Sequence, residues 1–183
     1  MKRFFILVIT ALFSTMAFAQ GNIIAGMRYE ITEITVNEEE YGLFMYRDKD
    51  GEPAYYLSLG HVEKMLEIHS PSSTFSLSNV DETCLYLGTT TQDVYDMLDT
   101  LLALVQEDEG TFVDFPARMA TWGERLGDPT VATCVVKKPL IGGKRLVFFF
   151  DSRNYTAATY LSKFSIKQLR SGFKLYKKLH PDK

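Results

Sequence analysis

Beyond residue 13 the chain has no apolar run approaching the roughly 20 residues that span a bilayer. It carries two cysteines, one tryptophan and three histidines. So few cysteines exclude a disulfide-stapled mini-domain, and without a Cys-X-X-Cys pair a thioredoxin-like redox role has no chemical basis. Neither Gly-X-Ser-X-Gly nor His-Glu-X-X-His occurs, so neither a nucleophile elbow nor a zincin helix is written here. Gly142-Gly143-Lys144 lacks the upstream Gly and the following Ser or Thr of a phosphate loop. His61-Val62-Glu63 matches half of a zinc-deaminase signature whose Pro-Cys-X-X-Cys half is absent. Asp48-X-Asp50-Gly51 lacks the later carboxylates of an EF-hand loop, and a hairpin turn accounts for it.

What is present begins with an export signature. Met1-Lys2-Arg3 precedes the apolar stretch Phe4 to Phe13, and Ala17-Phe18-Ala19 supplies the small residues read by a signal peptidase. The pattern predicts a signal peptide over 1–19, cleaved before Gln20, and an exported product that is periplasmic or extracellular. The remaining 164 residues, 20–183, suffice for one domain with a sizeable core. Cys84 and Cys134 each sit in a strand-like run. In an oxidising compartment they could close one long disulfide loop, or they could pack as two buried thiols.

Charge is unevenly distributed. Residues 163–183 hold seven basic side chains against Asp182, a net +6, while residues 20–162 sum to −11. This polarity is the clearest electrostatic feature of the chain.

Periodicity defines the elements. Val94, Leu98, Leu101 and Val105 recur at helical spacing and predict an amphipathic helix over 90–105, with Thr89 and Gln92 as its capping pair. A second helix after Ser165 has Ile166, Leu169, Phe173 and Tyr176 on one side and Lys167, Arg170, Lys174, Lys177 and Lys178 on the other. Ser165 and Gln168 form its expected capping box, with Phe164 stapling onto Leu169. Strands are expected at 29–36, 41–47, 54–59, 74–77, 83–87, 131–137, 144–151 and 155–161. Apolar positions switch from odd to even numbers at Gly60, which predicts a bulge there; residues 61–69 then continue as a strand or form a short helix. The stretch 111–130 has no clear period and is expected to be a long connection with a helical turn around 118–125. The class is therefore α+β: a mostly antiparallel sheet of about seven or eight strands in meanders, with two main helices packed on one face.

These residues favour a non-catalytic binding or interaction domain over an enzyme, and no catalytic set can be assigned. The cationic side chains Lys167, Arg170, Lys174 and Lys177 suit an anionic partner such as an acidic protein or a glycan. They carry no sign of specific nucleic-acid recognition or of an integral membrane protein. Trp122 and Arg118, in the irregular stretch, are further binding candidates. The alternative is a small exported hydrolase with a site between the sheet and residues 111–130, built from Asp114, Arg118, Trp122, Glu124 and Arg125. Residues 61–69 concentrate metal-ligand types, so His61 and His69 are weak metal candidates. No cofactor is implied.

Overall fold

Tyr, Phe, Val, Ile and Thr fill a pleated surface well, and in a computed structural model eight runs rich in them form one antiparallel sheet. Residues 26–36, 39–47, 51–70, 73–121, 125–152 and 155–181 are described; the signal peptide expected over 1–19 and the turn expected at 48–51 fall outside them, apart from Gly51. The strands are β1 (Met27–Val36), β2 (Glu39–Arg47), β3 (Ala54–Ser70), β4 (Ser73–Gly88), β5 (Phe112–Thr121), β6 (Arg125–Lys137), β7 (Arg145–Ser152) and β8 (Tyr155–Ser162). Each pairs with its neighbour in sequence, giving the order β1 to β8 without a crossover. Helix α1 (Thr91–Leu104) joins β4 to β5, and α2 (Lys163–Leu179) follows β8. The α+β architecture expected from the sequence is thus the one observed.

One face of this sheet and one side of each helix make the core. Leu43, Leu57, Leu85 and Phe115 from β2–β5 meet Cys134, Phe148 and Phe150 from β6 and β7. Val94, Leu98, Leu101 and Leu104 of α1 and Ile166, Leu169 and Phe173 of α2 complete the same buried cluster. Both helices therefore cover the same face. Burying an aliphatic or aromatic side chain contributes about 1.5–3 kcal/mol, so this shared cluster is what fixes their positions. Phe173 is the junction, edge-on to Tyr95 of α1 at 5.1 Å and to Tyr55 of β3 at 6.0 Å.

The sheet curls. Tyr41 Oη donates to the Tyr160 carbonyl at 2.8 Å, and Thr159 Oγ1 donates to the Leu59 carbonyl at 2.8 Å, tying β8 to β2 and β3. Helix α2 packs on β1, β2 and β8, so it bridges the two edges of the curled sheet.

Three expectations need correction, and one open choice is resolved. Residues 73–88 are one continuous strand, not two strands around a 79–82 turn, because β3 pairs along its whole length from Glu82 to Ser73. Residues 61–69 stay in the strand, and the expected break is there: register shifts between Ser58 and His61, with Gly60 at φ +94°. Residues 112–121 and 125–137 are paired strands, so the stretch 111–130 is part of the sheet instead of a connection lying across it. Pro116 is tolerated because β5 pairs with β4 only at residues 117–120, leaving that side of Pro116 without a ladder. Finally, both helices begin elsewhere than expected. Thr90, not Thr89, caps α1, and its box partner is Asp93. Ser162 caps α2 by accepting from the Ser165 amide at 3.0 Å, three residues before the expected start.

Candidate binding surfaces

Helix α2 carries the cations named from sequence, and they do not act alike. Arg170 turns toward α1. Its Nε and Nη2 donate to Asp99 Oδ1 and Oδ2 at 2.7 and 3.0 Å, and its guanidinium lies 5.6 Å from the Tyr95 ring centre. These hydrogen bonds hold the Asp99 carboxyl below the usual carboxylate range and keep Arg170 charged. So part of the charge polarity is internal complementarity between the helices. Lys167 and Lys174 are exposed, Lys177 is half-buried, and none of the three has an ion pair among the described residues. Cations in the last turn, Lys177 and Lys178, also sit favourably at the negative end of the helix dipole.

The same helix exposes apolar side chains. Phe164 does not staple onto Leu169; it is 58 % exposed, as are Leu175 at 57 % and Leu179 at 66 %. Starting the helix at Lys163 explains this, since Phe164 then falls on the side opposite Leu169, at about 140° around the helix.

A second apolar and cationic feature adjoins the start of α2. The hairpin joining β6 to β7 reads Lys137-Lys138-Pro139-Leu140-Ile141-Gly142-Gly143-Lys144-Arg145. Leu140 and Ile141 are fully exposed at its tip, with relative accessibilities of 107 % and 92 %. Register places the hairpin: Arg145 pairs with Ser162, the residue that caps α2. Lys144 Nζ donates to the carbonyls of Gln106 and Glu107 at 3.1 and 2.6 Å, and Lys163 Nζ donates to Gln106 Oε1 at 3.3 Å. The hairpin base and the first turn of α2 thus converge on the end of α1. The strands expected at 131–137 and 144–151 leave 139–143 as the turn between them, and the sequence holds a sign that it is more than a turn. The signal was two aliphatics where turn chemistry asks for polar residues.

The opposite face of the sheet carries a smaller buried cluster of Phe44, Tyr46, Ala54, Tyr56 and Cys84. Beside it opens a pocket of about 420 Å³ lined by Tyr46, Tyr56, Tyr86, Glu52, Thr89 and Arg118. Phe44 stacks on Tyr56 at 5.5 Å and Tyr86 meets Tyr56 edge-on at 5.6 Å, so the phenol rings are fixed by one another. Arg118 arrives there because it pairs with Cys84 across β4 and β5. Three tyrosines with one cation and one carboxylate suit a small ring-shaped ligand.

Next to this cluster Arg28 joins Glu30 to the buried Glu82 and lies 3.8 Å over the Phe44 ring. Burial raises the Glu30 carboxyl against the pull of Arg28. Glu33 and Glu40 line the same small cavity of about 120 Å³. Among the described residues no three His, Cys, Asp or Glu side chains are placed to hold one metal ion. His61 and His69 lie on one extended strand opposite Glu82 and Thr74, with about 26 Å of backbone between them.

Of the residues grouped for the hydrolase alternative, Asp114 and Arg118 are described in full, both on β5. Asp114 accepts from Thr133 Oγ1 at 2.8 Å on the β5–β6 ladder, while Arg118 lines the tyrosine pocket. Trp122 and Glu124 lie outside the described residues, and Arg125 opens β6 opposite Thr121. Cys84 and Cys134 are both buried and free. They belong to clusters on opposite faces, and the positions they pair with on β5, Arg118 and Val113, are five residues apart, which separates the sulfurs too far for a bond. Burial pushes the Cys84 thiol up and the Cys134 thiol to about 12, so both stay protonated and inert.

Comparison with protein-family models, with curated proteins and with solved structures finds no match for this chain. No helix among the described residues is long and apolar enough to cross a membrane.

Proposed function

We propose that this chain is an exported, non-catalytic binding domain that meets an anionic partner on the side formed by α2. The observation that carries this reading is the division of labour among the helix's cations. Arg170 is neutralised by Asp99, whereas Lys167 and Lys174 stand exposed without ion pairs among the described residues. Long-range attraction of an anion uses charge that is not already compensated, and a body of opposite sign orients the molecule as it approaches. Export is supported by the charged, apolar and small-residue order of residues 1–19.

Heparin, a polyanion of high charge density, tests the reading directly. The protein should be retained on a heparin column and released by moderate salt, and Lys167→Glu with Lys174→Glu should elute earlier. These side chains are exposed, so the variant's thermal melt should match the parent's. Retention unchanged by the double reversal would remove the α2 side from the function.

A further inference from the structure

We infer that the anionic partner is a lipid surface, docked through the β6–β7 hairpin tip and the first turn of α2. The inference rests on the anionic-partner reading and gives the partner a chemistry.

Shape and polarity select the ligand class. Leu140 and Ile141 project from a turn as a convex tip, exposed at 107 % and 92 %. A protein interface of ordinary size removes about 800 Å² from each partner, and two side chains on a protrusion supply only a fraction of that. A fluid acyl layer, by contrast, closes around a protrusion and buries it completely. Phe164, exposed at the adjoining start of α2, adds a third apolar group at the same end. Around these three stand the exposed Lys137, Lys138, Lys163 and Lys167, against Glu107, Asp108 and Glu109 on the turn after α1; Lys144 is turned onto the Gln106 and Glu107 carbonyls and Arg145 onto the Tyr160 ring. A soluble polyanion would use the cations and leave the aliphatics without purpose. Anionic headgroups above an acyl layer use both, with lysines at headgroup level and aliphatics below.

Co-sedimentation with vesicles supplies the test, using phosphatidylglycerol–phosphatidylcholine mixtures and phosphatidylcholine alone. The full chain as secreted should pellet with the anionic vesicles and stay soluble with the neutral ones. Leu140→Ser with Ile141→Ser should lower the partition coefficient by roughly tenfold or more, while heparin retention stays unchanged. Lys137→Glu with Lys138→Glu should lower it by roughly thirtyfold or more and weaken its dependence on salt. Leu179→Ser, at the far end of α2, should bind vesicles like the parent. Equal vesicle binding by the Leu140/Ile141 variant and the parent would overturn the inference. Heparin retention without vesicle binding would also overturn it, and would leave the anionic-partner reading standing. Loss of both in the parent would end the two together.

Discussion

Asp93 Oδ2 accepts from the amides of Thr89 and Thr90 at 3.0 and 2.8 Å, while the Asp93 amide donates to Thr90 Oγ1 at 3.1 Å. The same side chain packs against Gly88, where φ is +123° and an added Cβ would lie 2.3 Å from Asp93 Cβ. One carboxylate therefore ties the end of β4 to the start of α1. The Thr90 amide, first, and then its hydroxyl hold this carboxyl below its ordinary value. Because the folded value is the lower one, its contribution to stability is present above the unfolded carboxyl range, near pH 4, and is lost as pH falls through the folded value. Asp93→Asn should accordingly melt below the parent at pH 7, and the gap should narrow as melts are repeated below about pH 4. A gap constant across that range would show that charge at Asp93 is irrelevant to the cap. Three consecutive threonines made this cap one residue ambiguous in the sequence. The structure resolves it in favour of Thr90, and the missing Cβ of Gly88 leaves room for the Asp93 side chain that closes the box.

At the scale of elements, Gly172 fixes how closely α2 approaches the sheet edge. A Cβ there would lie 2.4 Å from Thr32 Oγ1 and 3.1 Å from Thr32 Cβ on β1. In an exposed helix Gly→Ala stabilises by roughly 0.5–1 kcal/mol. Here the contact reverses the sign, and Gly172→Ala should destabilise by about 1–2 kcal/mol, since added bulk at a tight contact costs about 1–3 kcal/mol. Urea unfolding measures the change, and Thr32→Ala in the same chain should recover part of it. A stabilised Gly172→Ala would place α2 farther from β1. The close approach matters for the proposed docking end, because α2 begins beside the hairpin and its path is set by this contact. Elements with a strong period were legible in the sequence: Val94, Leu98 and Leu101 are buried as their spacing required, as are Leu146, Phe148 and Phe150. The 111–130 stretch was not, because Pro116 and Pro129 imitate loop chemistry where the ladder happens to tolerate them. The candidate site was legible only in charge. Lys167 and Lys174 are exposed as their helical phase implied, but the pairing of Arg170 with Asp99 needed the two helices to be placed side by side.

Over the whole molecule, hydrogen bonding is not evenly shared between the strands. Residues 55–58 of β3 pair on both sides, with β2 and β4, and Glu82, Cys84 and Leu85 of β4 pair with both β3 and β5. Beyond the Gly60 bulge, Val62 to Ser70 and Ser73 to Asp81 pair with each other and, among the described residues, with no third strand, forming a two-stranded arm that leaves the sheet. A ribbon of two strands is marginally stable by itself, whereas the segments inside the sheet are backed by the cluster that includes Leu57, Leu85, Cys134 and Phe148. The arm should therefore open in local fluctuations that leave α1, α2 and the central sheet closed. Amide hydrogen exchange at neutral pH reads this gradient. Amides of the arm are expected to exchange on the order of a hundredfold faster than those of residues 55–58, 132–136 and 146–150. Equal protection would mean that something besides its own ladder holds the arm. A fast arm would confine rigidity to the curled sheet and its two helices, which is where the docking end is built: the β6–β7 hairpin grows from the protected ladder between Lys137 and Arg145, and α2 starts where that ladder ends at Ser162. The cations and the apolar tip are then presented by the most strongly held part of the chain, so their spacing survives motion of the arm.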